Sequence, residues 1–228
     1  MGNQGVKSNS PPRVIHGQLL HLGFLTVAGI LLILYSDPGP GFWSGLPVSF
    51  WFWLAVSIPV IHQIYVWLCW RLALRQRFTD IEWNSGRCFR LYLIGFFVLF
   101  ISRFLSLLVL AVADYQSLEL SVDFRWAVAT PLMLIVGYGF FSIKKYFGFE
   151  RAAGIDHFDP GYSSKPLVRK GIFKWSPNAM YLFVLQGTWL FGILAGSGLA
   201  MIVAGFQSIY IWVHYVSTEK PDMKHIYG

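Results

Sequence analysis

The sequence predicts an all-α fold, a polytopic bundle of about six transmembrane helices that closes with a C-terminal helical hairpin and a polar tail. Three observations carry this expectation. The 228 residues are 55% hydrophobic and 18% aromatic but only 13% charged, with mean hydropathy +0.53, whereas a soluble domain carries about a quarter charged residues. Apolar stretches of about 20 residues, enough to cross a bilayer as a helix, recur along the chain. The connections between them alternate between basic and acidic, as they do when Lys and Arg stay on the cytoplasmic side. The 20 Phe, 11 Tyr and 10 Trp suit rings seated at the headgroup level.

The spans fall at 15–36, 49–70, 90–113, 125–147, 178–196 and 199–217. The first follows the polar, basic segment Met1 to Arg13 with Pro11-Pro12. It is too long for a signal-peptide core and lacks a small-x-small cleavage pattern, so it reads as a retained span. The last two are joined by Ala195-Gly-Ser-Gly198, which leaves room only for a tight turn between antiparallel helices. The 71–90 connection carries Arg71, Arg75, Arg77, Arg87 and Arg90, and the 144–174 connection carries Lys144, Lys145, Arg151, Lys165, Arg169, Lys170 and Lys174. By contrast, 37–48 has Asp37 and no Lys or Arg, and 114–124 has Asp114, Glu119 and Asp123. Six spans with both termini cytoplasmic satisfy every connection. The 147–165 stretch reads as a loop or short interfacial segment. Residues 1–124 read as an N-terminal three-span scaffold and 125–228 as a core with the polar chemistry, two parts of one structural unit.

Charge and cysteine usage exclude several classes. The net charge of +7 is spread over membrane-flanking loops, which favours a lipid face and no nucleic acid partner. Cys69 and Cys88 lack metal-type spacing, so neither a disulfide framework nor a metal site is expected.

Polar groups inside spans are expensive and mark where chemistry can sit. In the sixth span Gln207, Tyr210, His214 and Ser217 recur at steps of three and four, one helical face, leading into Thr218 and Glu219. Interhelical hydrogen bonding explains such a stripe equally well. Gly137 and Gly139 near the end of the fourth span permit close approach of a ligand or another backbone, and close helix packing is the plainer reading. Arg103 lies inside the third span. Asp114, eleven positions on, is about 16 Å away along a helix, so Arg103 needs another partner or must snorkel. His21, His62 and Gln63 read as hydrogen-bonding groups within the bundle. Ser176 and Pro177 suit the start of the fifth helix. Its positive end, with Lys170 and Lys174 nearby, favours an anionic ligand group. The tail keeps Pro221, Met223, Ile226 and Tyr227, a composition for packing rather than fraying.

Together these positions resemble the isoprenylcysteine carboxyl methyltransferase and phosphatidylethanolamine N-methyltransferase superfamily of integral membrane methyltransferases. The family pattern G-x-Y-x-x-x-R-H/N-P-x-Y is met by Gly171, Phe173, Asn178 and Tyr181, with Pro177 in place of the Arg and Ala179 in place of the Pro. Gly137 and Gly139 match its GxG element. Glu219, Pro221, Met223 and Tyr227-Gly228 match its acidic tail, with Lys220 replacing the second acid. Asn178 leans toward the phospholipid branch.

The resemblance implies S-adenosylmethionine as cofactor, contacted by Gly137, Gly139, Asn178, Tyr181 and Glu219. An amine acceptor must be neutral to attack, so a base is needed; the catalytic candidates are His214, Tyr181 and Glu219, with His214 first as proton acceptor by its place on the polar stripe. The implied acceptor is a membrane lipid, a phosphatidylethanolamine-type amine first, with an isoprenylcysteine carboxylate or a small hydrophobic thiol as alternatives. An NADPH-dependent membrane reductase, and a non-enzymatic transporter or assembly factor, are the competing classes.

Overall fold

A computed structural model describes residues 10–76 and 85–228. Arg77 of the basic connection and the first nine residues of the N-terminal segment lie outside the described residues. Among the described residues five helices are long and apolar enough to cross a membrane, one fewer than the six spans expected, and the span expected at 178–196 is a shorter apolar helix, Met180–Ala195; the fold is otherwise the expected all-helical bundle. Helix α1 spans Gln18–Tyr35 and buries His21, Ala28 and Leu32, while Leu19, Leu22, Ile33 and Leu34 face outward. Exposed apolar rows of this kind are what a bilayer solvates, and the protein is an integral membrane protein. A two-stranded hairpin, β1 Phe42–Trp43 with β2 Leu46–Pro47, leads into α2.

Helices α2, Val48–Gln76, and α3, Ser85–Ala113, each have 29 residues, or about 43 Å. That exceeds a hydrocarbon core of about 30 Å. The sequence puts the end of the second span at 70 and the start of the third at 90, and both helices run further than expected. Arg71 ends the apolar run by composition, yet its side chain is fully buried and paired, so the helix carries it inside the protein. Helix α4, Val122–Ser142, is N-capped by Ser121, whose Oγ accepts from Phe124 N at 3.3 Å. It continues as a π-helical turn, Ile143–Phe147. The 147–165 stretch contains a short helix α5, Phe149–Ala152, and 3-10 turns at Ile155–His157 and Pro160–Tyr162.

The fifth crossing is shorter and irregular. Met180–Val184 is π-helical, Leu185–Thr188 is 3-10, and only α6, Trp189–Ala195, is α-helical. Side chains here take backbone carbonyls: Gln186 Nε2 donates to Tyr181 O at 2.9 Å and Thr188 Oγ1 to Leu185 O at 2.9 Å. Such bonds let a membrane helix leave regular geometry without orphaned groups. Gly196, at φ 65°, turns the chain, and α7 follows over Gly198–His214.

The hairpin turn is tied to the acidic end of the bundle. Asp114 Oδ2 accepts from Ser197 Oγ at 2.6 Å and Leu199 N at 3.0 Å, and Arg125 Nη1 donates to Leu194 O at 2.9 Å. Beyond α7, a π-helical turn, Tyr215–Glu219, feeds α8, Lys220–Tyr227. The sequence ends the last span at 217, and the tail instead prolongs it as packed helix. The central core joins α2, α3 and α7 through Phe52, Leu107, Leu110, Val203 and Tyr210.

Candidate functional site

Two polar clusters occupy the basic end of the bundle. One is a closed ion network under α8. Asp222 lies three residues after Glu219 and faces inward, where Arg71 Nε meets its Oδ1 at 2.7 Å, with neither side chain exposed. His157 Nε2 lies 3.5 Å from the other carboxylate oxygen and its ring stacks on Trp70 at 4.0 Å. Arg71 also donates to Arg13 O at 2.6 Å and to Ser217 O at 3.3 Å. Beside it, Tyr227 donates to Asp156 Oδ2 at 2.7 Å and accepts from Arg151 Nη2 at 2.9 Å. Thus the tail is fastened to α2 and to the 151–157 turn by charge, which explains why it packs.

The second cluster surrounds a cavity of about 180 Å³ between α2, α3, the end of α4, the π-helical start of the fifth crossing and α7. Its walls are largely aromatic, with Phe96, Phe100, Phe104, Phe140 and Trp70 prominent, and its polar groups are His62, Gln63, Arg103, Tyr181 and His214. The stripe read from the sequence is real: Gln207, Tyr210, His214 and Ser217 are all buried on one face of the last helix. Tyr210 and Ser217 are absorbed by neighbours. Tyr210 bonds His21, and Ser217 Oγ lies 3.4 Å from His214 O. His214 is not absorbed, since both ring nitrogens are buried without a hydrogen-bond partner among the described residues.

Of the residues singled out in the sequence, three come together. Tyr181 and His214 line the same cavity, and the Tyr181 hydroxyl donates to Glu219 Oε2. Asn178 sits one turn before Tyr181, half-buried, and its carbonyl accepts from Tyr181 N at 3.0 Å. Ser176 Oγ accepts from Asn178 N at 3.1 Å, so the expected capping hydroxyl serves the turn that opens this segment. The two glycines lie elsewhere. A Cβ on Gly139 would come within 2.5 Å of Val184 Cγ2, whereas one on Gly137 would meet nothing within 4 Å. Gly139 therefore lets the fifth crossing lie close against α4, and that helix and the π-helical turn after it contribute Phe140 and Ile143 to the cavity.

Sequence reasoning missed Arg71, Asp222 and His157, and gave Arg103 and His62 only structural roles. Asp222 had a usable signal, its i+3 spacing from Glu219 on one helical face. His157 had none, because a loop carries no periodicity.

Fold and cavity define an integral membrane helical bundle whose polar chemistry is gathered where the final hairpin meets the second and third helices. Residues 124–228 match the phospholipid methyltransferase family. This match, over the C-terminal part, supports a membrane methyltransferase in general terms. No curated protein and no solved structure matches the chain.

Proposed function

We propose that the protein is an S-adenosylmethionine-dependent methyltransferase acting on a membrane-resident, lipophilic acceptor. The observation that carries this reading is that Tyr181 and His214 line one aromatic cavity and Tyr181 bonds Glu219, all three residues lying in the family-matching region. Bound S-adenosylmethionine supplies a methyl group on a positively charged sulfur. The residues present suit such a cation. Trp70, Phe149 and Tyr181 offer aromatic faces at the basic end of the cavity, and a cation over such a face gains about 0.5–2 kcal/mol. Glu219, held by Tyr181, offers a carboxylate for the amine or a ribose hydroxyl, and the Asn178 amide lies one turn away.

The chain's own work is positioning and proton handling. Fixing donor and acceptor in line supplies much of the acceleration in a displacement. His214, a buried imidazole without a hydrogen-bond partner among the described residues, takes a proton from the acceptor or orients its reacting atom. In this reading residues 1–124 and 125–228 work as one unit with both termini cytoplasmic, supported by the Arg71–Asp222 pair that joins them. The sequence resemblance favours a phosphatidylethanolamine-type amine, and the cavity lining favours a different acceptor, argued below. Thermal stabilisation in detergent tests the reading. S-adenosylmethionine or S-adenosylhomocysteine raises Tm and NADPH does not. Stabilisation by NADPH alone would sink it in favour of a reductase.

A further inference from the structure

Among the described residues, three side chains lining the cavity, and Gln207 beside Arg103, leave buried nitrogens without hydrogen-bond partners: both ring nitrogens of His62 and of His214, Nη2 of Arg103, and Nε2 of Gln207. The Arg103 side chain bonds, through Nε, the Gln207 carbonyl, and among the described residues no carboxylate pairs with it. Arg103 is 3% exposed, and the cavity it borders is lined by no Asp or Glu. A buried charge left without a counter-ion is strongly unfavourable, and each unsatisfied buried donor adds to that penalty. Water could fill hydrogen bonds there but would leave the charge uncompensated. A cationic headgroup would add to the penalty. An anion removes it.

We propose that the inner end of this cavity is an anion seat, and that the methyl acceptor is a lipophilic weak acid bound there as its conjugate base. The anion (a carboxylate, thiolate or phenolate) lies against Arg103 with the His62 ring alongside, and its apolar body follows the channel of Phe96, Phe100 and Phe104. This deepens the methyltransferase reading and rests on it for the reaction, though not for binding. In the transfer the acid has already lost its proton, to water or to His214. Its lone pair forms the bond to the methyl carbon, the bond from that carbon to the sulfonium sulfur breaks with its electron pair kept on sulfur, and both products lack the starting charges. A single negative charge matches the single guanidinium and leaves the dry cavity neutral.

The test compares ligands that share one chain and differ in headgroup: decanoate, decanethiol, decyl phosphate, decanol and decylamine, titrated against the full-length protein in maltoside micelles by thermal shift. Decanoate, and decanethiol at alkaline pH, stabilise the wild type, and decylamine and decanol do not. Arg103→Met weakens decanoate about tenfold or more, equivalent to about 1.4 kcal/mol. It keeps the unliganded Tm, keeps the shift given by S-adenosylhomocysteine, and Arg103→Lys recovers part of the decanoate affinity. Equal binding of decylamine, or undiminished decanoate binding by Arg103→Met, would overturn the anion seat. So would a fall of several degrees in the unliganded Tm of Arg103→Met, because the guanidinium would then serve the fold. Tighter binding of decyl phosphate than of decanoate would overturn the weak-acid assignment and point to a lipid phosphate. If S-adenosylhomocysteine fails to shift the wild type while decanoate succeeds, the methyltransferase reading falls and the anion seat stands.

Discussion

Three arginines are buried among the described residues, Arg71, Arg103 and Arg125, and the surroundings of the first two differ. Arg71 has a carboxylate at 2.7 Å, two backbone carbonyls as further acceptors and a stacked Trp70–His157 pair next to it. Arg103 has one side-chain amide and an aromatic cavity. The first is a finished interaction that fastens the C-terminal helix to α2. The second is half of one, and the missing half fits an exogenous molecule. Intramembrane charge therefore has two uses here, and the partner, not the burial, distinguishes them.

The largest effect expected is at the finished pair. Breaking a buried ion pair by removing one partner costs about 3–5 kcal/mol, so Arg71→Met or Asp222→Asn should strongly lower Tm in detergent. The double variant Arg71→Met with Asp222→Leu should recover much of that loss, because no buried charge is stranded. Equal damage in the single and double variants would break the comparison. Next in size is Glu219→Gln. It removes the charge from the Tyr181 hydrogen bond, and bonds to charged groups are worth about 1.5–3 kcal/mol. Binding of S-adenosylhomocysteine should weaken by about ten- to a hundredfold while the shift given by decanoate is preserved.

Gly139→Ala puts a methyl group into Val184, and overpacking of this kind costs about 1–3 kcal/mol. The loss should appear as lower Tm, measured without ligand. The smallest effect belongs to Gly137→Ala, where the added carbon meets open space. Stability and S-adenosylhomocysteine binding should both match the wild type. A loss of binding without a loss of Tm would return the glycine pair to the cofactor contact that the sequence resemblance implies.

Much of the fold was legible because a bilayer constrains sequence strongly. Every backbone group must be satisfied internally, so helices announce themselves by length and apolarity. The hairpin turn at 195–198, the buried stripe on the last helix and the packed tail all follow from that. Legibility failed where charge is handled by tertiary contacts. Arg71 looks like the end of a span until Asp222, 151 positions later by residue number (222 − 71), is brought against it. The irregular fifth crossing was also hidden, because Gln186 and Thr188 read as ordinary polar residues until their carbonyl partners are known. At the site, Tyr181, Glu219 and His214 were readable from a motif and a stripe. Arg103 and His62 belong to spans with no motif, and only the cavity joins them to the rest.

The most direct test of the central claim is transfer of labelled methyl from S-adenosylmethionine into a total membrane extract by the purified protein, with Glu219→Gln and Arg103→Met in parallel. The account predicts label in an organic-soluble methyl ester, thioether or aryl ether, greatly reduced in both variants. Label confined to phosphatidylethanolamine-derived lipid and unaffected by Arg103→Met would contradict the anion seat, and no label in any fraction would contradict the methyltransferase assignment itself.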